Sequence, residues 1–270
     1  KRIEAGKDVM INALTQSPLV GRKIFEWKEQ IESQQLLVRD IIDIDSTYED
    51  FEASEEENGL KVNKKSKDKD EKKEDQKKEG EITSEDDEFN ISLAKMEEEI
   101  KPKIINILES LNKNYSKLQK YQREKLDCLL AAKELSVSKN KNFKKIQAIL
   151  VDNFKNLQLA PHVVEELVQS HYKENKKIVS LEGVLLRLAM DNKISREEFL
   201  KYYIGNEINP KFESFLKENP LWKSFFKKFK KDFAEIRERL VEFSKKIGLS
   251  VGEFKKLVNR IQKGERESRI

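Results

Sequence analysis

The side chains in this 270-residue chain whose types and spacing could do chemistry are two histidines, one cysteine and a row of lysines. His162 and His171 stand nine residues apart, with no second ligand four residues on and no carboxylate arrangement suited to a metal. Nine steps of about 100° on one helix would put them on roughly opposite faces. Each is expected to be a surface or partly buried structural histidine. Cys128 sits in the apolar stretch Leu126 to Ala132 with no histidine nearby, so an inert buried thiol is expected rather than a nucleophile. A single cysteine also excludes an internal disulfide and a thiolate metal cage, and fits a reducing cytoplasm. No glycine-rich phosphate loop, nucleophile elbow or zinc motif occurs in the sequence. The chain is therefore read as non-enzymatic, with no cofactor and no small-molecule substrate.

The remaining candidates are cationic. Lys223, Lys227, Lys228, Lys230 and Lys231 share one helical pattern with an aromatic seam. Such a row either tracks phosphates or keeps its helix soluble, and both roles stay open. Lysine outnumbers arginine 43 to 11, which suits nonspecific electrostatics better than bidentate reading of bases.

The charge that surrounds these residues is unevenly placed. Residues 1–100 carry 17 basic and 28 acidic side chains, net −11, whereas residues 101–270 carry 37 and 22, net +15. One half repels polyanions and the other attracts them. Between Lys61 and Glu81, 16 of 21 residues are charged and none is aromatic, so the stretch cannot bury enough apolar surface to offset its ordering entropy. Residues 52–91 are expected to be a disordered charged linker. A solvated spacer is the preferred reading, and a polyampholyte that binds a partner is the alternative.

The elements that must position the cations read as helices. Nine Gly and five Pro are too few turn signals for a β-sandwich or barrel, and no apolar run is long enough to span a bilayer. The expected fold is all-α, an elongated helical bundle with long antiparallel helices. Residues 1–51 read as a helix over 2–15, a second with Ser17 as N-cap and Pro18 at N1, and a third carrying Leu36, Leu37, Ile41 and Ile42 that ends near Asp43. Residues 92–248 begin with a long helix from Leu93 to Leu129, in which Pro102 marks a kink or the true start. Helices over Phe143–Phe154 and from Pro161 follow, the latter continuing or restarting through Leu188. Capping boxes are expected at Ser195 with Glu198 and at Ser250 with Glu253, and Gly205 and Gly248 end helices. Trp222, Phe226, Phe229, Phe233, Ile236, Leu240, Phe243 and Ile247 step by fours and threes through Pro220–Ile247, and this seam is expected to pair with the long helix at 93–129. Residues 249–270 form a last helix with Phe254, Leu257, Val258 and Ile261 on one face.

The ends say more about function than the middle. The opening Lys1–Lys7, KRIEAGK, resembles the close of conserved region 1.2 of bacterial primary sigma factors, and Leu36–Asp43, LLVRDIID, resembles a segment just beyond it. Leu249–Arg269, LSVGEFKKLVNRIQKGERESR, resembles the approach to region 2.1, with Gly264-Glu265 matching a turn-like element and Arg266 and Arg269 heading the next helix. Leu159–Val168 and Tyr202–Trp222 look like stretches of the variable insert that separates the two regions in that family. The lysine-rich linker departs from the family's acidic one.

The resemblance implies the non-conserved insert of a cytoplasmic transcription initiation factor. Its parent would bind core RNA polymerase and, through its other segments, promoter DNA, with no membrane partner. Because the chain starts at Lys1 rather than methionine, it is expected to be a fragment or processed product. The possible contacts to polymerase or DNA are Lys1, Arg2, Arg266 and Arg269 near the ends and Lys223, Lys227 and Lys230 on the seam helix. An insert also requires neighbouring ends, so Ile3 and Met10 are expected to pack on Leu257, Val258 and Ile261. Two readings from other classes stand beside this one: a helical coiled-coil scaffold, and a nonspecific nucleic-acid-binding protein that uses the basic half.

Overall fold

The computed structural model describes residues 2–57, 85–133 and 136–268. Its described elements are helical: α1 (Arg2–Thr15), α2 (Pro18–Glu32), a 3₁₀ turn (Val38–Asp40), α3 (Ile44–Glu57), α4 (Glu85–Leu130), α5 (Val137–Lys155), α6 (Pro161–Asp191), α7 (Arg196–Tyr203), α8 (Phe212–Phe215), α9 (Pro220–Ile247) and α10 (Val251–Ser268). The fold is all-α, as the sequence implies. The expected charged linker lies mostly on residues 58–84, outside the described residues, and its flanks are helical up to Glu57 and from Glu85.

At 1.5 Å per residue the 46-residue α4 is about 70 Å long and forms the spine of one layer. Pro102 lies inside it and is not its start. Ile100, Ile104, Leu108, Leu111, Tyr115 and Leu118 are buried at three- and four-residue steps, and α2, α3 and α5 pack along this stripe. Gly21 lets α2 settle directly on the Tyr115 ring, which a β-carbon there would approach to 2.7 Å. The Tyr115 hydroxyl donates to the Thr15 carbonyl at 2.7 Å, tying α4 to the end of α1. Burial pushes that hydroxyl's pKa upward, so it stays a donor.

The second layer is α6 with α7, α9 and α10, and α1 joins the layers by packing on α10 and α5. The expected pairing of α9 with α4 is replaced. The two touch only lightly, and α9 lies chiefly on α6. The reason is competition for the aromatic seam: Trp222 stacks on Phe199 of α7 at 6.0 Å and meets Phe212 of α8 edge-on at 5.7 Å. The seam itself bends. Phe229 has φ −115° and ψ 24°, outside helical values, and Phe229, Phe233 and Phe243 are only partly buried, while Phe225, absent from the expected seam, is fully buried.

The third expected helix of residues 1–51 is corrected. Leu36–Ile42 does not form an α-helix; the Asp40 carboxylate accepts from the Leu37 N–H and holds a 3₁₀ turn. Beyond it the backbone is extended. Asp43 N–H donates to the Gln158 carbonyl at 3.1 Å and Ala160 N–H to the Ile41 carbonyl at 2.9 Å, an antiparallel bridge that uses the groups a helix would need. Asp43 then receives the Ser46 N–H on its side chain, so α3 starts where the sequence suggests an end. Pro161–Asp191 is one continuous helix. Both expected capping boxes are half formed: Ser195 and Ser250 accept the N–H of Glu198 and Glu253, but the glutamates turn away, to Asn219 and Lys125.

Candidate functional site

The lysine row is positioned by the aromatic face behind it. Asn219 caps α9 by accepting the Leu221 N–H at 3.0 Å, and Pro220 occupies N1. Trp222, Phe225 and Phe226 are locked against one another and against Phe199 and Phe212, which leaves one orientation for this helix. Lys223, Lys227, Lys230 and Lys231 are therefore exposed, the first two before the bend at Phe229 and the last two after it. The Lys228 ammonium lies 5.1 Å from the centre of the Phe229 ring. No acidic residue occurs between Pro220 and Lys231. Among the described residues no carboxylate lies within ion-pair distance of these lysines, whereas Lys125 and Lys255 pair with Glu253 and Glu182.

The second group of candidates lies at the junction of α1 and α10. Arg266 is exposed, with Nε donating to the Gln262 carbonyl at 3.4 Å. Arg2 opens α1, and Lys1 and Arg269 lie outside the described residues. The two basic groups do not merge. Tyr172 of α6 donates to Glu265 beside Arg266, while Asn192, just past the end of α6, donates to the Leu221 carbonyl two residues before Lys223. The 20 residue steps from Tyr172 to Asn192 span about 30 Å.

The junction is closer than the sequence suggests. Ile3 is 43% exposed and takes no part in the buried contact; Gly6 and Gly264 make it instead. A β-carbon at Gly6 would stand 2.7 Å from the Ser268 backbone nitrogen, and one at Gly264 2.6 Å from that of Met10. The Gly264-Glu265 pair is not a turn here but lies within α10. A glycine inside an otherwise amphipathic helix was the signal for this contact.

The uncharged candidates are structural. His171 is fully buried. Its Nδ1–H donates to the Leu167 carbonyl at 2.6 Å, so Nε2 accepts from the Ser17 hydroxyl at 2.6 Å, and its ring stacks on Phe254 at 6.1 Å. Burial depresses its pKa. His162 donates from Nε2 to the Asp40 carbonyl at 3.1 Å. Cys128 is half-buried rather than fully enclosed. Among the described residues no group of three or more His, Cys, Asp or Glu side chains is placed to hold a metal ion, and no helix is long and apolar enough to cross a membrane.

With the geometry in place, comparison with known families is decisive: the model of the sigma-70 non-essential region matches residues 18–243. The chain belongs to that family. It is a part of a primary sigma factor, the class of protein that acts in transcription initiation. The matched span begins at the first residue of α2 and ends within α9. The sigma-70 non-essential region is thus bracketed by α1 and α10, the two helices that pack most extensively on each other. They run antiparallel, with Gly6 beside Ser268 and Gln16 accepting from Arg260 at 2.8 Å. The expectation of neighbouring ends holds among the described residues, since Arg2 and Ser268 lie at the same end of the pair.

Proposed function

We propose that this chain is a rigid helical insert in a cytoplasmic primary sigma factor, and that it serves the parent as a non-enzymatic scaffold and contact module. The parent binds core RNA polymerase and directs it to promoter DNA. The observation that carries this reading is the close α1–α10 pairing around the family match, because an insert with joined ends leaves its host domain undistorted. Lys1, Arg2, Arg266 and Arg269, close to the two ends of the sequence, would serve as one set of contacts with polymerase or promoter DNA. Lys223, Lys227 and Lys230 would offer a second, separate contact with polymerase or promoter DNA, through exposed ammonium groups that have no carboxylate partner among the described residues.

Two versions of the parent sigma factor test this reading, each assembled with core polymerase. Replacing residues 18–247 by a short flexible linker between α1 and α10 should preserve core binding and promoter-dependent initiation. Loss of core binding would overturn the insert reading. Lys223→Glu with Lys227→Glu and Lys230→Glu should weaken retention of the complex on promoter DNA, more at low salt than at high salt, and leave core binding unchanged. Binding of the isolated chain to any duplex as tightly as the holoenzyme binds a promoter would favour the nonspecific nucleic-acid reading, for which the lysine row is the specific observation.

A further inference from the structure

Between α5 and α10, with α4 beneath, runs an open groove of about 570 Å³. Its floor is apolar: Leu249 and Leu257 are buried and Phe143 is partly exposed. Its rim is cationic. Lys125, Lys256 and Arg260 face a single carboxylate, Glu253, and that carboxylate is already engaged by Lys125. Lys256 and Arg260 stay exposed, Arg260 also donating to the Gln16 side chain at 2.8 Å.

An independent feature lies among the lining residues. Gln122 is 3% exposed, and its Nε2 donates to the Gln16 carbonyl at 3.2 Å. A carbonyl can only accept, so the amide cannot be turned the other way, and its Oε1 is left without a donor among the described residues. The groove therefore combines apolar contact and excess positive charge with a buried acceptor beneath its surface that has no donor among the described residues. A phosphodiester backbone fits poorly, because it brings only acceptors to Gln122 and no apolar group to Phe143 and Leu257. A peptide brings all three complements.

We propose that this groove is a docking site for an acidic peptide segment of a partner protein. An apolar side chain of the segment rests on Phe143 and Leu257, flanking carboxylates meet Lys256 and Arg260, and a backbone N–H or hydroxyl donates to Gln122 once the side chains above it part.

The test pans a phage-displayed random 12-residue peptide library on the purified 270-residue chain, followed by fluorescence anisotropy with the enriched peptides. The expected outcome is enrichment of Asp/Glu-rich peptides containing Leu or Phe. Binding should fall by roughly tenfold in Lys256→Glu with Arg260→Glu at low salt and by less at high salt, as charge reversal at an exposed rim requires. Gln122→Leu should also weaken it, and Lys201→Glu with Lys217→Glu, exposed and outside the groove, should not. Lys256→Glu alone keeps the experiment readable if Arg260→Glu disturbs the bond to Gln16. Failure to enrich acidic peptides, or affinity unmoved by charge reversal at the rim, would overturn the proposal. So would equal competition by a 20-base-pair duplex, which would assign the groove to nucleic acid.

Discussion

Gly264 faces Gly6 so closely that a β-carbon on Gly264 would lie 2.7 Å from the Gly6 carbonyl oxygen. Backbone on the opposing side cannot rotate away as a side chain can, so any larger residue must push α1 and α10 apart. Gly264→Ala should destabilise the chain by roughly 1–3 kcal/mol through overpacking, even though alanine favours a helix over glycine by about 1 kcal/mol. Urea denaturation followed at 222 nm reads the sign directly. A stabilised Gly264→Ala would mean that the two helices do not touch.

Gly183 supplies the opposite case. It lies inside α6, and beyond its own stretch of helix no atom of the described residues comes within 4 Å of the position its β-carbon would take. Gly183→Ala should stabilise by about 0.5–1 kcal/mol, since only backbone entropy and helix propensity change. The same urea titration, run beside Gly264→Ala, checks that the loss there comes from packing.

Phe225 and Phe233 separate the buried from the half-buried part of α9. Phe225 is fully enclosed, and truncation to Ala should cost about 3–5 kcal/mol. Phe233 stacks on Phe212 at 5.7 Å but keeps part of its ring in solvent. Phe233→Ala should cost clearly less than Phe225→Ala, and equal losses in thermal or urea melts would contradict the bend at Phe229.

His171 makes stability depend on pH. Its pKa is held below the ordinary 6.5 by burial, so the unfolded chain takes up a proton before the folded chain does. Its contribution is complete above 6.5 and is lost as pH falls below that value, with a slope of at most about 1.4 kcal/mol per pH unit for one proton. His171→Gln should flatten the dependence between pH 7 and 5 relative to the parent chain. Urea midpoints of both chains over that range measure the difference.

Ser17 joins two jobs, capping α2 through the Leu19 N–H at 3.3 Å and donating to His171. Ser17→Ala removes both and leaves the His171 nitrogen unpaired in the core. A loss of about 1–3 kcal/mol is expected, above the ~1 kcal/mol typical of a cap alone. Calorimetric melting of Ser17→Ala against Ser195→Ala, which removes only the cap bond to the Glu198 N–H, checks it.

The sequence by itself determined what depends on neighbours along the chain. Ser17 with Pro18 and Asn219 with Pro220 set helix starts, Gly248 with φ +93° set an end, and three- and four-residue steps marked the buried faces of α4 and α10. The resemblance of both ends to the regions flanking an insert named the family that the match to residues 18–243 bears out. The lysine row of α9 was legible because its aromatic face is written in the same residues.

Only the tertiary structure decided which face meets which. Apolar periodicity shows that a face is buried but not its partner, so α9 and α4 looked matched until the aromatics of α7 and α8 claimed Trp222. Leu36–Ile42 has a helix-like apolar count, yet its backbone pairs with 158–160, more than a hundred residues away, and no local signal encodes that bridge. Ile3 was expected in the α1–α10 contact because it is apolar, whereas close helix approach selects small residues and put Gly6 there. The groove at Gln122 is of the same kind. Its residues come from the turn after α1, from α4, α5 and α10, and from the turn before α10, and converge only when those elements pack.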